Sequence, residues 1–227
     1  MIINDKGNIF TNCRFYRCEW QVGSIGTDWN NSKRGEYQSR YVSCCFENVK
    51  LTKTGFGDPR FVNCTFVFKK LSGLDFGCSG FVNCRFEGAF QDLTFRGQYS
   101  NKEYTARKGE PQYAGFTNVS FEKTALQWFA LLDGFPLRSV KRPEDGSAFL
   151  ADMPWLCREQ KVIMSKFSDQ RSKEVLSRYL NIDCGAAERQ PVSILSRYDL
   201  FESFAKGEEA LILPVYALLK QEYEIFV

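Results

Sequence analysis

A large apolar residue recurs at every fifth position over an unbroken stretch of the chain. A helix repeats its apolar positions every 3.6 residues and a strand repeats them every two, so neither element explains a period of five. A chain that turns a corner after every five residues does explain it, with one inward-pointing side chain at the centre of each side. The positions in this register are Tyr41, Phe46, Leu51, Phe56, Phe61, Phe66, Leu71, Phe76, Phe81 and Phe86.

The same stretch contains a longer period of 20 residues. Four sides of five residues make one square coil, so equivalent positions of successive coils stack as parallel strands about 4.8 Å apart. Small residues two positions before the central ones, among them Cys44, Cys64 and Cys84, then share the interior. A six-residue motif that begins and ends with an aromatic residue recurs with this period. Its copies are found at 10–15, 41–46, 61–66, 81–86 and 116–121.

These two periods resemble those of the pentapeptide-repeat family, which places Leu or Phe at the centre of each side and a small residue two positions earlier. The resemblance covers roughly residues 8–132. It implies a right-handed quadrilateral β-helix of about four to five coils, and therefore a mainly β protein. Phe dominates the centres in this chain, so we expect Phe46, Phe66 and Phe86 to stack in a bulky variant of that core.

Two stretches exceed the 20-residue spacing. The second motif copy follows the first after 31 residues, 11 more than one coil, and the fifth follows the fourth after 35 residues, 15 more than one coil. We therefore expect loop insertions near 21–38 and 97–112. A Leu-x-Phe segment at Leu74 recurs at Leu93 after 19 residues, which predicts a one-residue deletion near Phe90.

The chain after the repeats has a different pattern. The whole chain therefore divides into a repeat domain at 1–134, a linker with two prolines at 135–149 and an α-helical C-terminal segment at 150–227. Part of the last segment should cover the final coil, since solenoids need capped ends. The resulting fold class is a β-helix capped by α-helices.

Helical periodicity in the C-terminal segment predicts three helices. The first is capped by Ser168 and ends at Asn181, where an amide side chain suits the last turn. The second carries its apolar face from Ile194 to 205. The third extends over 208–221, with a kink or a break at Pro214.

Composition argues against catalysis. The 227 residues include no His, which removes the commonest general base and the Ser-His and Cys-His nucleophile pairs. The nine cysteines form no C-x-x-C pair and show no zinc-ligand spacing. We therefore expect no enzyme active site, no cofactor and no metal.

The location expected from the sequence is the bacterial cytoplasm. No apolar run approaches the roughly 20 residues that span a bilayer, and the first residues lack the pattern of a signal peptide. All nine cysteines should then be reduced thiols. The column of Cys44, Cys64 and Cys84 suggests a metal or redox track, but buried Cys also behaves as a small hydrophobe, and we interpret the column as core packing.

Several outward positions have two interpretations. Val42, Val62 and Val82 follow the central residues and should form an apolar stripe on the coil surface, covered either by this chain or by a partner. Phe68 is a second outward apolar candidate. Asn63 and its equivalents at the corners form a row that suggests a sugar-binding or catalytic site, but bonding of their side chains to the turn backbone is the simpler explanation.

We expect the function to be protein binding, because loops on a rigid scaffold commonly carry recognition and aromatic residues often anchor interfaces. The partner would be a toxin or another cytoplasmic protein, bound in an immunity-like or scaffold role. The helical segment remains an alternative binding surface. The candidate partner-binding residues of the loops are Trp29, Arg34, Tyr37, Tyr99, Tyr104, Arg107 and Tyr113.

A second functional hypothesis is a DNA mimic. The family resemblance implies this role because some members resemble a DNA duplex and act on DNA gyrase. Such proteins have an acidic surface, whereas this chain has a net charge of +3. We therefore rank the DNA mimic below protein binding, rank an enzyme in the helical segment third, and expect neither nucleic acid nor membrane as a partner. The oligomeric state is left open by the sequence.

Overall fold

Parallel strands form the first part of the chain, and the helices of the C-terminal segment follow them. The computed structural model describes residues 5–26, 38–99, 105–106, 109–185, 187–204 and 207–226. The strands are β1 Asp5–Lys6, β2 Ile9–Thr11, β3 Arg14–Tyr16, β4 Glu19–Gly26, β5 Arg40–Val42, β6 Cys45–Glu47, β7 Lys50–Phe56, β8 Arg60–Val62, β9 Thr65–Asp75, β10 Gly80–Val82, β11 Arg85–Arg96, β12 Gly115–Leu132, β13 Leu137–Lys141, β14 Ala148–Asp152 and β15 Val192–Ser196. The helices are α1 Met153–Arg158, α2 Gln160–Ser165, α3 Gln170–Cys184, α4 Arg197–Phe204 and α5 Glu209–Tyr223.

The repeat region is a curled parallel sheet. Its strands pair in the order β2-β5-β8-β10-β12-β11-β9-β6-β3, with β13 added to β12, while β1, β4 and β7 form a separate three-stranded sheet. The predicted quadrilateral β-helix is therefore corrected in one respect, because this pairing does not close into a solenoid. The physical reason is that β12 passes through the corner at Asn118 without leaving the sheet, pairing with β10 before it and with β11 after it, so two sides of the coil join in one curled sheet.

The predicted 20-residue spacing of the three central motif copies is confirmed. Phe61 pairs with Tyr41 on one side and with Phe81 on the other, all in parallel register. The rings of Phe46 and Phe66 stack with centroids 4.9 Å apart. The next ring in the column, Phe86, lies 4.7 Å from Phe66 and nearly parallel to it, so the predicted Phe column is present.

The corners between sides are built by residues in the left-handed backbone conformation. Asn residues tolerate a positive φ better than most side chains do, which explains their recurrence at this point of the motif. Their side chains also bond to one another: Asn118 Nδ2 donates to Asn83 Oδ1 at 2.9 Å, and Asn83 Nδ2 donates to Asn63 Oδ1 at 3.1 Å. The corner residues are Asn12, Ser43, Asn63, Asn83 and Asn118, with φ from 52° to 56°.

A register shift marks the predicted one-residue deletion. Strand β11 slips against β9 between Gly88 and Ala89, after which Phe90 pairs with Leu71. The side chain of Phe68 lies just before the shift and is only 3% exposed, so the outward position predicted for it is wrong. The physical reason is the irregularity in register. Lys69 and the residue after it are both exposed, so the inward position falls on Phe68, directly before them.

The cysteine column is buried in the repeat core. Cys64 Sγ donates to the carbonyl oxygen of Tyr41 at 3.3 Å, and Cys84 Sγ donates to that of Phe61 at 3.6 Å. Burial raises the pKa of the Cys84 thiol well above its ordinary value. These contacts agree with the interpretation as core packing. Within the part of the chain that the structure describes, no group of three or more His, Cys, Asp or Glu side chains could hold a metal ion.

The antiparallel pair of β14 and β15 joins the repeat core to the helical core. Residues 194–196, predicted as the start of a helix, instead belong to β15, which pairs with β14. Alternate side chains explain the difference: Leu150 and Ile194 face the repeat core, whereas Phe149 and Leu195 face the core beneath the helices. The β14–β15 strand pair also covers the last coil, as Ser196 Oγ donates to the carbonyl oxygen of Leu126 at 2.5 Å.

All three predicted helices are present with different bounds, the second of them as α4, which begins at Arg197 rather than at Ile194. Helix α3 begins at Gln170, where Asp169 rather than Ser168 accepts the hydrogen bond from the Ser172 amide, at 2.6 Å. It continues to Cys184, beyond the predicted stop at Asn181. Helix α5 contains Pro214 within its length.

A disulfide contradicts the expectation that all cysteines are reduced. Cys157 of α1 is bonded to Cys184 at the end of α3, and the seven other cysteines are free. Disulfides are uncommon in cytosolic proteins, and the cytoplasmic location stays a prediction. Among the described residues, no helix combines the length and the apolar character that crossing a membrane requires.

Candidate partner-binding surface

Two of the seven predicted binding residues lie in the described part of the chain. These are Tyr99 and Tyr113, at the two ends of the second insertion. Their contacts give the geometry on which the candidate surface is built. The remaining candidates, Trp29, Arg34, Tyr37, Tyr104 and Arg107, lie outside the described residues.

Asp58 joins the ends of the two predicted insertions. Gln38, where the first insertion returns to the sheet, donates from Nε2 to the Asp58 carbonyl oxygen at 2.5 Å. Tyr99, where the second insertion leaves the sheet, donates from its hydroxyl to Asp58 Oδ2 at 2.6 Å. Asp58 is itself only 8% exposed. The structure thus brings together two loop bases that lie about 60 residues apart in the sequence.

Arg60 and Tyr113 form the second contact of this surface. The Arg60 guanidinium lies over the Tyr113 ring, 4.5 Å from its centroid. The backbone of Tyr113 passes so close to Gly80 that a Cβ there would lie 2.0 Å from the Tyr113 carbonyl oxygen, which explains the glycine. The far end of the second insertion is therefore held against strands β8 and β10.

This surface lies on the face that carries the valine stripe. Arg60 and Val62 point to the same side of β8, because side chains two apart in a strand share a face. Val62 and Val82 are half-buried and stand side by side in register. The segment ending at Tyr113 lies against the Gly80 end of the neighbouring strand, and what covers the valines themselves stays a prediction.

The thiol nearest to the Asp58 surface is not reactive. Burial, with the added effect of the Asp58 and Asp75 carboxylates, raises the pKa of Cys78 to about 12. A thiol with this pKa is protonated at neutral pH, and the thiolate is the nucleophilic form. Cys78 therefore contributes packing and not chemistry to this region.

Asp58 and Arg60 are functional candidates that the sequence did not reveal. The Asp58-Pro59 dipeptide is a turn signal, but a turn signal does not report which loops a carboxylate will hold. Arg60 occupies an outward position of the motif, where an arginine is unremarkable. Both become informative only because distant parts of the chain approach them.

A second candidate surface lies on the helical segment. A groove of about 490 Å³ runs between α2 and α3. Its basic side chains are Lys161, Lys173 and Arg178, and its one carboxylate, Glu174, is paired with Arg171 at 3.6 Å. The groove therefore carries net positive charge and keeps the helical segment as the alternative binding surface.

No protein family, curated protein or solved structure matches this chain. The functional argument therefore depends on the geometry of these two surfaces. The resemblance to pentapeptide repeats depends on the periods of five and 20 in the sequence.

Proposed function

We propose that this protein is a non-catalytic protein-binding module, with its recognition loops mounted on pentapeptide-repeat coils. The observation that carries the proposal is the joint anchoring of both insertions at Asp58, by Gln38 from one and Tyr99 from the other. Insertions that depart from the repeat are not required by core packing. The described ends of the two insertions therefore meet at one buried residue.

The scaffold beneath this surface supports the proposal. Binding costs free energy when loops and side chains are ordered, so a surface that is already fixed binds more tightly. Stacked rings such as Phe61 and Phe81, 5.0 Å apart, fill the space directly under the Arg60 face. The filled interior leaves the outer surface and the loops as the places where recognition occurs.

The partner we propose is a protein, such as a toxin neutralised in an immunity-like role or a component held on a scaffold. Arg60 offers a guanidinium for a carboxylate of the partner, and the tyrosines offer aromatic anchors, which are enriched at interface hot spots. The charge pattern does not favour the DNA mimic, because three partly exposed carboxylates of the coil surface are paired with cations. The pairs are Arg14–Glu47, Arg85–Glu87 and Lys141–Glu122.

Site-specific photocross-linking tests the position of the surface. A photoreactive amino acid placed at 99 or at 113 should capture one protein from the native cell, and the same group at Arg178 should not. The captured protein is then purified, and its affinity is measured by calorimetry. Tyr113→Ala and Arg60→Ala should each weaken binding at least about tenfold, which is roughly 1.4 kcal/mol.

The matched control is Arg178→Ala, which removes a cation from the helical groove and should leave the affinity unchanged. Removing residues 27–37 restores the 20-residue spacing between the first two motif copies, and that variant should fold and bind weakly. Full affinity in the Tyr113 and Arg60 variants, with loss in the Arg178 variant, would place the site on the helical groove instead.

A further inference from the structure

The first two strands of the curled sheet form an exposed edge. Among the strands that the structure describes, β2 pairs only with β5, and β3 pairs only with β6. Two large apolar side chains lie on this edge, Ile9 with 65% and Tyr16 with 47% of its surface exposed. The opposite end of the repeat region is covered, since Phe135 packs there at 2% exposure. An open strand edge is a template for pairing with another chain.

The edge presents backbone groups whose equivalents in the later coils form hydrogen bonds with a neighbouring strand. The carbonyl of Val42 accepts the Asn12 amide at 2.9 Å, and the carbonyl of Val62 accepts the Ser43 amide at 2.8 Å. Thr11 holds the same register position in the first coil, and its carbonyl receives no amide from the described residues.

Comparing β3 with its neighbour β6 in the same way identifies the other unpaired edge groups. The Cys45 amide donates to the Cys13 carbonyl and the Glu47 carbonyl accepts the Arg17 amide, both at 2.9 Å. Their register partners in the first coil are Arg14 and Tyr16. Within the described chain, the Arg14 amide and the Tyr16 carbonyl have no such partner.

We propose that this edge joins two copies of the chain about a two-fold axis that passes through the corner between Asn12 and Cys13. The chain turns at Asn12, where φ is 56°, so β2 and β3 form two sides of the first coil. A two-fold axis along the diagonal of that corner places β2 of one copy antiparallel to β3 of the other. Ile9 then lies opposite Tyr16 of the second copy.

The register matches donors with acceptors. Ile9 and Thr11 have edge-facing peptide groups because successive residues of a strand point their N–H and C=O groups to alternate sides. In β3, the edge-facing residues are Arg14 and Tyr16 by the same alternation. Two-fold pairing sets the Ile9 amide of one copy against the Tyr16 carbonyl of the other. It likewise sets the Arg14 amide of one copy against the Thr11 carbonyl of the other.

The side chains agree with the same register. Ile9 and Tyr16 both point outward, so each exposed apolar side chain of one copy covers that of the other. Phe10 and Phe15 point inward and are half-buried at the open end of the core. Pairing places Phe10 on Phe15 of the second copy, which continues the aromatic core across the interface.

A second copy is the occupant that satisfies all these groups together, because an isologous interface uses one patch twice and then closes. This inference concerns self-association and does not depend on the partner-binding surface at Asp58. The charge on Arg14 does not oppose it, since that guanidinium is already paired with Glu47.

Sedimentation of the full chain tests the dimer. At about 100 µM the protein should have twice the 26.2 kDa mass of one chain, and dissociate on dilution by mass action. Ile9→Lys and Tyr16→Glu should each raise the dimer dissociation constant at least about tenfold. Leu213→Lys, at an apolar residue 49% exposed on α5, is the matched control and should leave the constant unchanged. Far-UV circular dichroism verifies that each variant is folded.

Mixing the two variants tests the register itself. In the proposed dimer, position 9 of one copy faces position 16 of the other, so an equimolar mixture of Ile9→Lys and Tyr16→Glu should form a heterodimer. A monomeric wild type overturns the proposal, whether another segment of the chain or a different protein then covers the edge. A dimer that withstands both substitutions, or a mixture that stays monomeric, also overturns it.

Discussion

At the residue scale, the Phe column shows how a sequence period becomes a packing geometry. Phe46, Phe66 and Phe86 repeat at 20-residue intervals and belong to strands in register, so their rings lie about one strand spacing apart. Their interplanar angles of 4° and 8° follow from that translation. Rings of neighbouring columns meet edge to face instead, as Phe61 and Phe66 do at 75°. Both arrangements are favourable for aromatic pairs.

Phe66→Ala tests the contribution of this column. Phe66 is 3% exposed and stacked on both faces, so its truncation should lower the free energy of unfolding by about 3–5 kcal/mol. Urea denaturation measures the change. Phe226→Ala, at a phenylalanine that is 78% exposed, is the matched control and should change stability by less than about 0.5 kcal/mol. Similar midpoints for both variants would contradict a packed column.

At the element scale, the helical segment is held by contacts between elements distant in sequence. The Cys157–Cys184 disulfide connects α1 to the end of α3 across 27 residues. Asp169 caps the start of α3, and hydrogen bonding to Ser172 lowers the pKa of this carboxyl. Because Asp169 titrates at a lowered pKa, the capping interaction is present at neutral pH and is lost as the pH falls through that pKa.

Reduction tests the disulfide. Closing a loop of 27 residues is worth about 3–4 kcal/mol in the chain-entropy estimate, so a reductant should lower the melting temperature followed at 222 nm. The paired variant Cys157→Ser with Cys184→Ser should melt at the lower temperature with or without reductant. Alkylation of the unfolded, unreduced protein should modify the seven free cysteines. Modification of all nine would show that the bond is absent.

At the scale of the whole molecule, the antiparallel pair of β14 and β15 belongs to two hydrophobic cores. Leu150 packs with the repeat core, and its neighbour Phe149 packs with the helical core, where its ring lies 5.4 Å from that of Tyr216. Hydrogen bonds reinforce the junction, since the Trp128 amide donates to Asp199 Oδ1 at 2.7 Å. A strand that is buried on both faces couples the two cores.

Phe149→Ala tests this coupling. The ring is 1% exposed, and its loss should destabilise the protein by about 3–5 kcal/mol. Because β14 serves both cores, ellipticity at 222 nm and tryptophan fluorescence should shift together and keep one transition. Two separated transitions would show that the cores unfold independently. Trp155→Ala, at a residue 40% exposed on α1, is the exposed-aromatic control.

Local patterns predicted the parts of the fold that depend on repetition. The register of Tyr41, Phe61 and Phe81 and the deletion near Phe90 follow from counting residues, because equal spacing gives equal position in stacked coils. The helix predicted over 194–205 was wrong at its start. Residues 194–196 are all buried, so period alone cannot distinguish a strand from a helix there. Of the candidate site, the loops were predicted, while Asp58 and Arg60 were not.

The sequence by itself determined the inward positions, the coil length and the corners of the repeat region, because each depends on residues near in the chain or on a fixed count between them. Only the tertiary structure decided that the sheet curls without closing, that Cys157 bonds to Cys184, and that two insertions meet at Asp58. These features depend on distances between segments that no local period relates. Their free energy comes from contacts that exist only once the elements have packed.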